Sequence, residues 1–185
     1  MRCAMTGQPL RDTSDGIYDD GEWISWDWIN GQLADQELRE EFPKANLQVV
    51  KIFQDLVDLA AAYKHETSRY LQIWGELGEL YAEIKYGIVR HRPGTRGSDG
   101  RMGNDWVEVK TISPEKLGEA THVKRAGNFN KVLVIKINEE FEFQARMIDR
   151  KLLGKGKGKR AKVVWEQHTS PVVKSPGAAD TPGSP

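Results

Sequence analysis

Residues 97–110, with the sequence GSDGRMGNDWVEVK, constrain the fold more than any other part of this chain. Gly103-Asn104 is a favoured turn pair for a two-residue hairpin, with both residues expected at φ > 0. In the register that this turn implies, Asp99 lies opposite Glu108, with Cβ atoms about 5 Å apart. Lys110 shares a face with Glu108, because strand residues two apart point the same way. The segment therefore predicts a hairpin that brings two carboxylates and a lysine together.

The pattern resembles the PD-(D/E)xK nuclease superfamily, whose motif is an acidic residue at a strand end followed by Glu-x-Lys on the next strand. Asp99 and Glu108-Val109-Lys110 match that motif, with Ser98 where the family name has proline. Many members add a helix glutamate in Gly-x-x-Gly-Glu, which residues 75–79 (GELGE) match and which selects Glu79. The resemblance covers about residues 68–150. It implies an α/β restriction-endonuclease-like fold, a central mixed sheet flanked by helices, and metal-dependent cleavage of DNA.

The chemistry of these residues suits a hard divalent cation, which takes oxygen ligands and keeps several waters. Asp99, Glu108 and the backbone carbonyl of Val109 would hold Mg²⁺, or Mn²⁺ in its place, and Glu79 would ligate directly or through water. Lys110 would orient the attacking water and offset charge that develops in the transition state. The alternative is an ordinary surface ion pair between Glu108 and Lys110.

The acidic and basic residues are distributed unevenly along the chain. Residues 1–66 carry 6 Lys and Arg against 13 Asp and Glu, whereas residues 67–185 carry 21 against 14. The basic part predicts a face for a polyanion, or the two parts attract each other within one fold. A single cysteine excludes an internal disulfide framework. With no apolar run near 18 residues and no signal-peptide pattern, we expect a cytoplasmic protein without a membrane partner.

Basic residues form two candidate nucleic-acid contacts. Those around the hairpin are Arg92, Arg96 and Arg101, and those in a Gly-Lys loop are Lys155, Lys157, Lys159 and Arg160. Neutralisation of phosphates by such groups drives sequence-independent binding. The alternative for the loop is a solubilising surface turn.

The chain divides by pattern into a Trp-rich extension (1–45), a nuclease domain (46–167) and a Pro/Ser/Gly/Ala tail (168–185) that we expect to be disordered. Residues 19–29 (DDGEWISWDWI) fit a strand, or a helix capped by Ser25 or Asp27, and would form a packing surface or an interface for a protein partner. The remaining patterns predict helices at 46–64, 68–86 and 114–124, and strands at 88–92, 131–137, 141–147 and 163–165.

The sequence therefore predicts a Mg²⁺-dependent enzyme that hydrolyses phosphodiester bonds in DNA endonucleolytically. Cutting both strands usually needs two sites, which favours a homodimer. The rival prediction is a nucleic-acid-binding or assembly protein that has the same fold without cleaving, because a fold does not guarantee chemistry. A third prediction, a protein-interaction module, rests on the Trp-rich start.

Overall fold

The computed structural model describes residues 1–154 and 158–166. The described chain forms two compact units, one of Met1–Leu47 and one that begins at Gln48. The elements are, in order, β1 (Gly16–Asp19), β2 (Glu22–Ser25), α1 (Trp26–Glu41), α2 (Leu47–Thr67), α3 (Trp74–Tyr86), β3 (Val89–Arg90), β4 (Gly100–Met102), β5 (Asp105–Ile112), β6 (Ala120–Lys124), β7 (Lys131–Ile137), β8 (Phe143–Asp149) and β9 (Arg160–Val164).

The first unit resolves the two interpretations of the Trp-rich segment. β1 and β2 form an antiparallel hairpin, and its turn residues Asp20 and Gly21 have φ of 45° and 88°. α1 begins immediately after β2, because the Ser25 hydroxyl accepts a hydrogen bond from Trp28 N at 3.3 Å and caps the helix. The segment is therefore a strand up to Ser25 and a helix from Trp26.

The second unit is built on a mixed five-stranded sheet in the order β3-β4-β5-β7-β8. β5 and β7 run parallel, and the other neighbouring strands are antiparallel. β7 is the most apolar strand, and its residues from Val132 to Ile135 are all buried. These observations confirm the predicted α/β class and the buried strand at 131–137.

Different elements pack on the two faces of this sheet. On one face, α3 packs through Leu77 against Val109 and Leu133. On the other face, Val123 of β6 and Val163 of β9 pack with a second cluster of buried residues, which includes Ile112, Val132, Val134 and Ile148. The buried cluster on that second face contains strand and loop residues, so among the described residues α3 flanks one face of the sheet and β6 and β9 cover the other.

The predicted helix at 114–124 is also wrong. Lys116 N donates to Ser113 O at 3.1 Å, which makes a turn, and β6 follows and pairs with β9. Thr121 and Val123 are buried while His122 and Lys124 are exposed, an alternation with the period of a strand. The local cap signal of Ser113-Pro114 is outweighed by this pairing with residues about forty positions away. The predicted strand at 163–165 is confirmed, with bounds at Arg160 and Val164.

The two long helices of this unit follow their predictions except at one boundary. α2 matches the predicted helix at 46–64, and Gly87, with φ of 65°, ends α3 as expected. α3 begins at Trp74 and not at residue 68, because Ser68 has a φ of 56° and the chain leaves the helical conformation there. No helix in residues 1–154 or 158–166 is long and apolar enough to cross a membrane.

Gly78 sets how closely α3 approaches β5. A Cβ atom on Gly78 would lie 2.1 Å from Thr111 Oγ1 and 3.3 Å from Thr111 Cβ, so a side chain there requires the helix or the strand to move. The next residue along the helix is Glu79, so this close packing also determines where the Glu79 carboxylate lies relative to β5.

We expect Gly78→Ala to lower the free energy of unfolding by about 1–3 kcal/mol, because it overpacks the contact with Thr111. Gly75→Ala is the matched control, since a Cβ on Gly75 of the same helix meets nothing within 4 Å. It should leave stability unchanged or raise it slightly. Urea denaturation of both variants is the measurement, and a Gly78→Ala protein as stable as Gly75→Ala would contradict the packing argument.

Candidate active site

The predicted hairpin is confirmed in its register. Gly100 pairs with Val107, Arg101 with Trp106 and Met102 with Asp105, with the turn at Gly103-Asn104. One detail of the prediction is wrong, because Gly103 has a φ of 60° but Asn104 does not have a positive φ. A positive φ at the first central residue alone is typical of a type II′ turn, which also matches the twist of the strands and therefore leaves the register unchanged.

Asp99 lies where β4 and β5 separate. Its backbone N–H donates to Val107 O at 3.0 Å, and its Oδ2 accepts a hydrogen bond from Val109 N at 2.7 Å. A carboxylate therefore takes the place of a strand carbonyl as the partner of Val109. This bond fixes the Asp99 side chain against β5, next to Glu108.

The lysine of the motif lies between the predicted metal ligands. Lys110 Nζ is 2.8 Å from Glu108 Oε1, 3.6 Å from Asp99 Oδ2 and 2.7 Å from Val109 O. The two carboxylates are thus within cross-strand reach of each other, as the register predicts. The Glu108 side chain is only 14% exposed, so this is not the solvent-exposed ion pair of the alternative interpretation.

The donor set around Lys110 Nζ consists of two carboxylate oxygens and one backbone carbonyl. Oxygen donors of this kind are those that Mg²⁺ and Mn²⁺ prefer. No three His, Cys, Asp or Glu side chains in the described part of the chain lie close enough together to hold a metal ion by themselves. An ion here would therefore need the Val109 carbonyl, water and an oxygen of the substrate to complete its coordination.

Glu79 lies beside the residues of this donor set. It lines a groove of about 420 Å³ together with Val109 and Lys110. Burial raises the pKa of the Glu79 carboxyl, the negative charges of Asp99 and Glu76 raise it further, and Arg90 and Lys110 act in the opposite direction. The structure thus brings Glu79 near the hairpin carboxylates.

Glu76, Glu79 and Glu83 form a stripe along one side of α3, because they are three and four residues apart in sequence. Glu76 and Glu83 are engaged by Arg90, a residue whose role the sequence pattern did not show. Arg90 Nη1 lies 2.6 Å from Glu76 Oε1, and Arg90 Nε lies 2.8 Å from Glu83 Oε2. Glu79 is more distant from the same guanidinium, at 3.8 Å. Arg90 therefore pairs with Glu76 and Glu83 and is a structural cation of α3. The signal in the sequence was the three-glutamate stripe itself, which needs a cation opposite it.

Asp105, the residue that follows the Gly103-Asn104 turn, joins two strands. It accepts a hydrogen bond from Asn130 Nδ2 at 2.6 Å and pairs with Lys131 Nζ at 2.9 Å. These contacts connect the start of β5 to the start of β7. The hydrogen bond from Lys131 lowers the pKa of the Asp105 carboxyl.

The predicted nucleic-acid contacts lie in different places. Arg92 and Arg96 are exposed in the loop between β3 and β4, and Arg101 is exposed on β4. Lys159 and Arg160 are exposed at the start of β9. The residues Lys155 and Lys157 lie outside the described residues. Arg92, Arg96 and Arg101 therefore belong to the same loop and strand as Asp99, whereas Lys159 and Arg160 belong to β9 and the residue before it.

No protein-family model matches this chain, and no curated protein matches it. Function is therefore inferred from the arrangement of Asp99, Glu108, Val109 and Lys110, with Glu79 beside them.

The raised pKa of Glu79 makes a prediction for stability. Below the ordinary glutamate pKa of about 4.3 the carboxyl is protonated in both the folded and the unfolded states, and its contribution is fully present. As the pH rises through the folded-state pKa, ionisation costs more in the folded protein and stability is lost. Glu79→Gln cannot ionise, so its free energy of unfolding should exceed that of the wild type at pH 7 and match it near pH 4.

The measurement is urea denaturation at both pH values with a chelator present. Glu83→Gln, one turn further along α3, is the matched control. It should lower stability at pH 7, because it weakens the hydrogen bond from Arg90. A Glu79→Gln protein that is less stable than the wild type at pH 7 would contradict the placement of Glu79.

Proposed function

We propose that this protein is a metal-dependent nuclease that hydrolyses phosphodiester bonds in DNA, endonucleolytically. The observation that carries the proposal is the convergence of Asp99 Oδ2, Glu108 Oε1 and Val109 O on a single cationic atom, Lys110 Nζ. The oxygens that the motif assigns to a metal ion are the same ones that surround this ammonium. A position that stabilises one cation by three oxygens also suits a divalent ion.

The order of the elements supports a restriction-endonuclease-like fold as part of this proposal. The helix with Glu79 precedes the strand β3, Asp99 follows at the start of β4, and Glu-x-Lys lies on β5 across the hairpin. The mixed sheet continues with β7, parallel to β5. The departure from the expected architecture is the β6–β9 ribbon, which covers one face of the sheet.

Asp99, Glu108 and the Val109 carbonyl would hold Mg²⁺, with Mn²⁺ as a substitute, and Glu79 would contact it directly or through water. When bound, such an ion lowers the pKa of a water and offsets charge on the phosphate. The hydrogen bond from Val109 N keeps one Asp99 oxygen oriented toward β5. The sheet thus holds the ligand oxygens in place before substrate arrives, as a preorganised site requires.

Asp99, Glu108 and the Val109 carbonyl could hold an ion only if the Lys110 ammonium moved away from between them. The flexible four-carbon stem of this lysine allows the ammonium to move while it stays within reach of the scissile phosphate. In that position it would orient the attacking water and stabilise the charge that develops in the transition state. Its contacts in the metal-free protein compete with the ion, so loss of the lysine side chain should not weaken metal binding.

DNA is the proposed partner because exposed arginines lie on the loop and the strand that flank Asp99. Arg92 and Arg96 lie in the loop that leads to Asp99, and Arg101 lies two residues after Asp99. Charges of this kind attract phosphates without reading sequence. Lys159 and Arg160 would extend the contact from β9. A homodimer would place two such sites on the two strands of a duplex.

A nucleic-acid-binding protein that does not cleave is the second candidate function. The observation in its favour is the same ion pairing, because Lys110 supplies a positive charge to both carboxylates. Such a protein would retain DNA binding through its arginines and would show no response to Mg²⁺. Metal binding and cleavage therefore separate the two candidates.

The first test of this proposal is the effect of metal on melting temperature. Mg²⁺ or Mn²⁺ should raise the melting temperature of the wild type, because a ligand at 100 times its Kd stabilises the folded state by about 2.7 kcal/mol. Asp99→Asn keeps an oxygen that can accept from Val109 N, so it should fold and lose most of the metal response. Asp105→Asn is the control and should respond as the wild type does. An unchanged response in Asp99→Asn would remove Asp99 from the site.

The second test is cleavage of plasmid DNA. We expect Lys110→Ala to lower the cleavage rate by about 10²-fold or more, as loss of a transition-state contact does, with metal binding at least as tight as that of the wild type. Lys151→Ala, which removes a lysine with a side chain that is 79% exposed, is the control and should cut normally. Cleavage by Lys110→Ala at the wild-type rate would refute the role of this lysine. If neither protein cuts any DNA, the non-cleaving candidate is favoured.

A further inference from the structure

An exposed tryptophan lies on the site face of the hairpin. Trp106 is 37% exposed and precedes Glu108 by two residues on β5, so the two side chains share a face. The distance along the strand is about 7 Å, two residues at the rise of a β-strand. Lys110 continues the same row. A large aromatic side chain is therefore next to the carboxylates of the proposed metal centre.

Two polar side chains contact the Trp106 ring, the guanidinium of Arg101 and the imidazole of His91. Arg101, its cross-strand partner, holds its guanidinium carbon 5.0 Å from the centre of the Trp106 ring. The His91 ring lies 5.2 Å from the Trp106 ring at an angle of 39°. His91 N donates to Asp99 O at 2.9 Å, which places His91 across from Asp99. We name Trp106, Arg101 and His91 the aromatic flank of the site.

Trp106 is not part of either hydrophobic core of this unit. Its neighbours Val107 and Val109 point the other way and are buried in the cluster beneath α3. Trp106 contributes to neither buried cluster among the described residues. A half-exposed tryptophan flanked by arginine is the combination with which proteins stack the bases of single-stranded nucleic acid, since every base presents a π-face.

We infer that Trp106 is a stacking platform for one unpaired DNA base, adjacent to the phosphate held at Asp99 and Glu108. The inference rests on the proposed function and adds its substrate class, which is DNA with an unpaired nucleotide next to the cut. A base inside a duplex is stacked on both sides, so its π-face is closed to Trp106 until the base is unpaired. Trp106 and Glu108 are about 7 Å apart along β5, so a base stacked on Trp106 would lie beside a phosphate held at Glu108.

Arg101 and the incoming base compete for the same ring. A contact between arginine and tryptophan at an exposed site is weaker than the stacking of a base on an aromatic ring. Displacement of Arg101 by a base is therefore favourable. It also frees the guanidinium for a phosphate oxygen, with which it forms the stronger charge-assisted hydrogen bonds. Arg101 thus has one partner in the free protein and another in the complex.

The test is binding to two probes in the presence of a chelator, so that no cleavage occurs. The probes are a thymidine strand of about 20 nucleotides and a fully paired duplex of the same length, long enough to cover one site. We expect Trp106→Leu to weaken binding to the single strand about tenfold or more and binding to the duplex less than about twofold. Trp106→Phe keeps an aromatic face and should retain most of the affinity. Trp26→Leu, at a tryptophan that is 43% exposed, is the control and should change neither.

A second measurement needs no variant at Trp106. A strand with the same backbone but without bases should bind the wild type about tenfold or more weakly than the complete strand, because it cannot stack. The salt dependence should be the same for Trp106→Leu and the wild type, since stacking releases no counterions. Arg92→Ala, in contrast, should reduce that dependence.

Three results would overturn the inference. These are equal losses on both probes in Trp106→Leu, equal binding of the complete and base-free strands, and no binding of the single strand by the wild type. The proposed nuclease fails separately, if the wild type cuts no DNA with Mg²⁺ or Mn²⁺. If it cuts a duplex with an unpaired flap no faster than a blunt duplex, the nuclease proposal remains and the preference for unpaired DNA is wrong.

Discussion

The backbone N–H of Val109 donates to Asp99 Oδ2, where a neighbouring strand would otherwise supply a carbonyl. β4 begins at Gly100, and the backbone pairing of β5 on this side stops with the hydrogen bond from Asp99 N to Val107 O, while β7 pairs with β5 along the other side. The carboxylate of Asp99 therefore becomes part of the sheet edge. The positions of Glu108, the Val109 carbonyl and Lys110 relative to Asp99 all follow from this one bond and the hairpin register.

Charge in this region is divided between two cations. Arg90 pairs with Glu76 and Glu83 on α3, and Lys110 pairs with Glu108 and Asp99 on the hairpin. Glu79 lies between the two groups with a raised pKa, because it is partly buried among like charges. A divalent ion would offset that repulsion more effectively than the single charge of Lys110 does. The fold thus holds these carboxylates close together at a cost in charge repulsion.

In the proposed enzyme, the hairpin would combine the chemistry and the recognition of DNA on one rigid element. The row formed by Trp106, Glu108 and Lys110 runs along one face of β5, with Arg101 and Asp99 beside it on the opposing strand. Residues on paired strands keep their spacing far better than residues on loops. In the proposed enzyme, the distance between a stacked base and the hydrolysed phosphate would therefore be determined by the pleat of the sheet.

The sequence by itself determined the hairpin, its register and the end of α3, because Gly103-Asn104, strict alternation and Gly87 act within a few residues. It also identified β7, because a short, continuous apolar run is compatible with few structures other than a buried strand. Only the tertiary structure decided that residues 120–124 are a strand, since their partner β9 is far away in sequence and the local cap signal pointed to a helix. The resemblance to Gly-x-x-Gly-Glu selected Glu79 among the glutamates of α3, and the tertiary structure gives the physical reason why this one approaches the site. Helical spacing leaves Glu76, Glu79 and Glu83 equivalent, and the contact of Gly78 with Thr111 and the pairing of Arg90 distinguish them. Local signals act through the nearest neighbours in the chain, whereas these choices depend on contacts between distant residues that exist only in the folded protein.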